Sequence, residues 1–146
     1  MTQKPPHPIA VDLLRDAFAN RLSQRWYVRT QAPITLPEGE PEPDLAPVRG
    51  DRRDYLQRHP GPDDVALVVE VADTSPARDR GIKQQMYAQA GIPASWIVNL
   101  PERKIERYAE PSVAEVTPDY AQRRDYGMTD AIPVVLDGVE VGRLEV

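Results

Sequence analysis

The sequence predicts a single α/β domain over residues 1–146: a mixed sheet flanked by helices, with short antiparallel strands toward the C-terminus. Three observations predict it. Val65 to Val71 is the most apolar run of the chain, valine-rich and bounded by turn residues, as a strand buried on both faces would be. A helical pattern and a second apolar run, Ser95 to Leu100, follow it, and strand–helix–strand implies a right-handed parallel crossover. Beyond that crossover the apolar segments become short, and Asp137-Gly138 is a strong hairpin signal.

Taken in order, residues 8–23 read as an amphipathic helix with Ile9, Leu13, Ala17 and Phe18 near one face. Trp26 to Leu36 reads as extended, with β-rich Tyr27-Val28-Arg29-Thr30. Prolines at 37, 41 and 43 exclude a regular helix, so Asp44 leaves a turn and enters a short strand, Leu45 to Val48. Residues 49–64 form a polar excursion with one helical turn around Asp54 to Gln57. Thr74-Ser75-Pro76 starts a helix over about Ala77 to Ala90, and Gly91 with Pro93 ends it. Ile105–Tyr108, Val113–Val116, Val134–Leu136 and Val139–Val141 read as short antiparallel strands.

Composition narrows the chemistry. The chain has no cysteine, which excludes disulfides and thiolate metal sites and fits a reducing, cytoplasmic setting. Two histidines, His7 and His59, are too few for a histidine-rich zinc centre, so a metal would need oxygen ligands. No apolar run is long enough for a membrane span, and the first residues lack an apolar export signal. The net charge of −5 argues mildly against a protein that coats DNA. Arginine is nonetheless clustered. Arg49, Arg52, Arg53 and Arg58 form one group, Arg78, Arg80 and Lys83 a second, and Arg123 with Arg124 a third. Such groups can bind phosphate, although solvated surface is the commoner meaning of short charge clusters.

Three residues contradict their local pattern. Glu70 places a carboxylate near the end of the valine strand, where burial is costly unless its charge is compensated. It either emerges at the strand's exposed end or belongs to a site at the carboxyl edge of the sheet. Lys83 falls at about 100° on a helical wheel that has Ile82 at zero, inside the expected apolar arc. It is also one of only three lysines beside fifteen arginines. Its bland reading is an Asp79–Lys83 ion pair one turn apart. Asp44 closes Glu40-Pro41-Glu42-Pro43-Asp44, and alone it is an ordinary turn residue.

Together these residues have a coherent chemistry. Two carboxylates from neighbouring strands plus a backbone carbonyl could form an oxygen cage for Mg²⁺. Such a metal polarises a phosphodiester and acidifies a bound water, which a nearby lysine helps to position or deprotonate.

The matching stretches are Arg29-Thr-Gln-Ala-Pro33, Glu42-Pro-Asp-Leu45, Val68-Val-Glu-Val-Ala-Asp-Thr-Ser75 and Asp79-Arg-Gly-Ile-Lys83, with Tyr87-Ala-Gln-Ala-Gly-Ile-Pro93 and Trp96-Ile-Val-Asn99. In these the chain resembles the PD-(D/E)xK nuclease superfamily, and within it the bacterial Uma-two family of restriction endonucleases. The resemblance implies a restriction-endonuclease-like fold and Mg²⁺- or Mn²⁺-dependent hydrolysis of nucleic acid, DNA first. It implies Asp44 and Glu70 as metal ligands with the Val71 carbonyl, and Lys83 as the catalytic lysine. The superfamily lysine two residues after the acid is Ala72 here, so Lys83 must supply the ammonium from the helix. Relatives usually carry further N-terminal residues, so the expectation is either a member shortened at its N-terminus or one that lacks that edge.

Gln31 and Asp79 are accessory candidates, and Arg49, Arg52, Arg53 and Arg80 are candidate phosphate contacts. Tyr87 and Trp96 are expected in the core, and His7 on a solvated terminus. A homodimer through unpaired strand edges is a further expectation. Two readings compete with the nuclease. One is a catalytically silent module of the same fold that binds nucleic acid or a protein partner. The other is a purely structural Glu70–Lys83 pair.

Overall fold

The structure is a computed structural model, and it describes residues 6–73, 77–112, 117–127 and 129–144, apart from the side chains of residue 6 and residues 77–80. The expected strand at Val113–Val116, the Ser75-Pro76 helix start and the side chains of Asp79 and Arg80 therefore lie outside the described residues.

Helix α1 (Pro6–Arg21) leads into β1 (Trp26–Thr30) and β2 (Leu45–Arg49). Two single 3₁₀ turns, Arg52–Tyr55 and Pro62–Asp64, punctuate the polar excursion. Strand β3 (Val68–Ala72), helix α2 (Ala77–Gln89) and β4 (Ala94–Asn99) form the expected crossover, with β3 and β4 parallel. They are followed by β5 (Lys104–Ser112), β6 (Asp119–Gly127), β7 (Ile132–Leu136) and β8 (Val139–Leu144). The first six strands make one sheet in sequential order, antiparallel except at β3–β4. Strands β7 and β8 form a separate hairpin across Asp137 and Gly138, whose φ angles of 54° and 78° are those of a primed turn.

Apolar cores lie on both faces of the sheet, which is why the valine strand is apolar on both faces apart from Glu70. On one face Val11, Leu14 and Phe18 of α1 meet Leu45, Val69, Val71 and Trp96, and the β7–β8 hairpin closes the cluster with Ile132, Val134, Leu136 and Leu144. Phe18 and Trp96 are in ring contact at 5.5 Å between centroids. On the other face Tyr87, Ala88 and Ile92 cover Val68, Ala46, Val48 and Ile34.

Three expectations are corrected here. The buried stripe of α1 is Val11, Leu14 and Phe18, spaced three and four apart, whereas Ile9 and Leu13 face solvent. The buried face of α2 is Gln84, Tyr87 and Ala88, so Ile82 is exposed and Lys83 stands on the flank of the helix. Strand β6 lies outside the strands that the sequence pattern predicts. Of its nine residues only Tyr120 and Tyr126 are buried, so an edge strand with a wet face resembles a charged loop in sequence.

Candidate functional site

Asp44 and Glu70 meet at the carboxyl end of β3. Strands β2 and β3 pair at Leu45 and Val69, and one further antiparallel step sets Asp44 opposite Glu70. Leu45, Val69 and Val71 point into the α1 core, so Glu70 turns toward the α2 face. The Asp44 carbonyl accepts from the Gln31 backbone N–H at 3.0 Å, which ties the proline-rich turn to the end of β1.

The Asp44 carboxylate is buried and oriented by the main chain: its Oδ2 accepts from the Val71 N–H at 2.8 Å. His7 Nε2, from the first turn of α1, stands 3.3 Å from the same oxygen. Both side chains are 12% exposed, and His7 Nδ1 is buried without a hydrogen-bond partner. His7 is thus part of the site, not of a solvated terminus.

Glu70 is held by α2. Its Oε1 accepts from the Tyr87 hydroxyl at 2.6 Å, and its Oε2 lies 3.3 Å from Lys83 Nζ. Burial pushes the Glu70 carboxyl above its ordinary range, the nearby Asp44 charge adds to that, and Lys83 and Tyr87 oppose it without cancelling it. The same burial, with Glu70 and Asp44 close by, pushes the Tyr87 hydroxyl well up, so it stays a hydrogen-bond donor. Lys83 reaches Glu70 from the helix flank, with its side chain 47% exposed. The wheel therefore misplaced it relative to the core, although its ammonium arrives where the spacing required. Tyr87 does belong to the core, but its hydroxyl is also a functional contact. Its place one turn after Lys83 was the available signal.

The remaining candidates do not converge here. Gln31 is exposed and contributes its main chain, at a left-handed φ of 47°. Arg49 is committed to the Asp137 carboxylate and the Asp63 carbonyl, which ties the β7–β8 hairpin to the sheet. Arg52 and Arg53 are exposed, and Arg52 lies over the Tyr27 ring.

Among the described residues no group of three His, Cys, Asp or Glu side chains is placed to hold a metal ion. Both Glu70 oxygens are engaged, one of them by an ammonium that occupies the cationic position beside it. Mg²⁺ asks for about six oxygen ligands in near-octahedral geometry. The arrangement described does not fit that requirement.

The six-stranded mixed sheet, its two helices and the acidic pair with a lysine at one strand end define a restriction-endonuclease-like domain. The chain belongs to the Uma2 family, described as "Putative restriction endonuclease", which matches residues 1–138. The family is part of the PD-(D/E)xK-like nuclease superfamily. Among solved structures the chain is similar to one from Anabaena variabilis titled as a putative nuclease belonging to DUF820. The TM-score is 0.71 at 8% identity, over 97% of this chain and 80% of that one, so the likeness is one of fold. No curated protein matches. Among the described residues no helix is long and apolar enough to cross a membrane.

Proposed function

We propose that this chain is a nuclease-fold module that binds nucleic acid, DNA in the first instance, with Glu70 engaged by Lys83 and Tyr87 rather than held with Asp44 around a divalent cation. The observation that carries the reading is the double engagement of Glu70 by Tyr87 and Lys83. A carboxylate whose two oxygens already have partners gains little from a cation that must first displace an ammonium. The family supports nucleic acid as the partner. Exposed Arg52 and Arg53 supply cations for phosphate contacts that need no metal.

The finer rival is Mg²⁺- or Mn²⁺-dependent phosphodiester hydrolysis, with Asp44 and Glu70 as ligands and Lys83 as the catalytic lysine. One observation favours it: the three residues do gather at one strand end. It requires Lys83 to leave Glu70.

One experiment separates the two. Binding of labelled single- and double-stranded DNA and RNA is followed by fluorescence anisotropy with EDTA, Mg²⁺ or Mn²⁺, and the same samples are run on denaturing gels. The module reading expects salt-dependent binding that survives EDTA, with no strand scission. Metal-dependent scission lost in Asp44→Ala, Glu70→Ala and Lys83→Ala would overturn it in favour of the enzyme. Absence of binding to every probe defeats it outright.

A further inference from the structure

The sheet has two outer edges, and they are built differently. Strand β6 is blunted by charge, with Arg123, Arg124 and Asp125 exposed. Arg123 pairs with Asp125 and with Glu106, whose carboxylate also accepts from Tyr108 and Asn99. Strand β1, Trp-Tyr-Val-Arg-Thr, has no proline, no lysine and a single charge. That charge is turned aside, because the Arg29 guanidinium donates to the Pro33 carbonyl at 3.2 Å.

The ladder between β1 and β2 fixes which main-chain groups face outward. The Gln31 N–H donates to the Asp44 carbonyl and the Gly50 N–H to the Arg25 carbonyl, so the odd-numbered residues of β1 exchange bonds with β2. Trp26, Val28 and Thr30 therefore turn their N–H and C=O groups to the open side. Pro47, which has no N–H, sits opposite Val28, where the ladder needs none. The Trp26 N–H is taken by the Ser23 carbonyl at 3.2 Å. Among the described residues the Trp26 carbonyl and both main-chain groups of Val28 and Thr30 have no partner.

The edge is also accessible. An open groove of about 780 Å³ runs along it, lined by Trp26 and Val28, which pack toward the α1 core, and by Tyr27, which packs toward the α2 core. Residues of both faces line it, so the groove wraps the strand edge itself. Its walls carry Arg15 and Asp16 of α1, and Asp51 and Arg52 of the turn after β2. Balanced walls offer little to a polyanion, whereas a second copy of the chain brings the same balance.

Symmetry selects the register. Outward residues must oppose outward residues, which allows a two-fold axis at Tyr27, Val28 or Arg29. An axis at Arg29 sets two guanidiniums opposite each other, and one at Tyr27 leaves Thr30 beyond the end of the partner strand. An axis at Val28 overlaps the whole strand. Val28 then meets its own copy, Trp26 meets Thr30, and Arg29 meets a Tyr27 ring, a group that it already approaches at 6.0 Å within one chain.

We infer that β1 pairs antiparallel with the β1 of a second copy across a two-fold axis at Val28, joining the two sheets edge to edge. The Val28 N–H and C=O exchange bonds with their counterparts, and each Thr30 N–H donates to the Trp26 carbonyl of the other copy. The pairing needs neither nucleic acid nor metal.

The test is sedimentation of the full chain from low micromolar to near-millimolar concentration, with amide hydrogen exchange read by NMR on the same samples. A monomer–dimer equilibrium is expected. The Val28 and Thr30 amides should gain at least about tenfold protection as dimer forms, while those of Tyr27 and Arg29 are protected throughout. Val28→Pro removes an N–H that β2 does not use, so it should fold and weaken association at least about tenfold. The chain has no cysteine, so Val28→Cys should form a disulfide-linked dimer on mild oxidation much faster than Val139→Cys, placed on the exposed hairpin. A monomer at every concentration overturns the pairing. So does a dimer that leaves the Val28 and Thr30 amides unprotected, protection of those amides already in the monomer, or association unchanged in Val28→Pro. Equal cross-linking of the two cysteine variants overturns it as well. If Val28→Pro fails to fold, the exchange and cross-linking arms decide.

Discussion

Tyr87→Phe isolates the contact that holds Glu70. The ring is fully buried in the α2 core and would stay in place, so the substitution removes one hydroxyl and its 2.6 Å bond to Glu70 Oε1. A hydrogen bond to a charged group contributes about 1.5–3 kcal/mol, against about 1 kcal/mol for a neutral one. A loss of about 2 kcal/mol is therefore expected at pH 8, or roughly 6 °C in Tm for a domain of this size. The loss should depend on pH. Burial raises the folded-state pKa of Glu70 above the ordinary 4.5, so the charged bond exists only above that raised value. Below pH 4.5 Glu70 is protonated in both states, and the cost should fall toward that of a neutral bond.

Tyr120→Phe is the matched control. Its hydroxyl donates to the neutral Ile92 carbonyl at 2.8 Å, so its cost should stay near 1 kcal/mol across the same range. Urea denaturation of both variants from pH 4 to pH 8 reads the difference. Equal costs at every pH would refute an ionised Glu70 held by Tyr87.

Two further outcomes test the frame around the site. Phe18→Ala, which removes a fully buried ring packed on Trp96, should cost about 3–5 kcal/mol in chemical denaturation. Glu106→Gln should cost about 1.5–3 kcal/mol at neutral pH. Because Glu106 is held below its ordinary 4.5, its contribution is present above that value and is lost as acid protonates the folded state. The variant should therefore approach wild type as pH falls, as a pH series of unfolding curves would show.

Sequence alone determined what rests on local chemistry. The valine run, the Gly91 helix stop and the Asp137-Gly138 turn are legible because strand burial, left-handed backbone and primed turns each demand particular residues within a few positions. Asp44, Glu70 and Lys83 were legible for the opposite reason: each breaks its local pattern, and a costly charge invites a search for its partner.

The tertiary structure decided everything that depends on which distant surfaces meet. It seated α1 on Val11, Leu14 and Phe18 and recruited the charged segment Asp119–Gly127 as an edge strand, because half of such a strand needs only solvent. It brought His7 from another helix onto Asp44 and gave the buried Tyr87 a hydroxyl partner. It also set Lys83 on Glu70, closing an acidic pair that composition and spacing would leave open to a cation. Residue types specify what a group can bind; only the packed chain determines whether that capacity is already used.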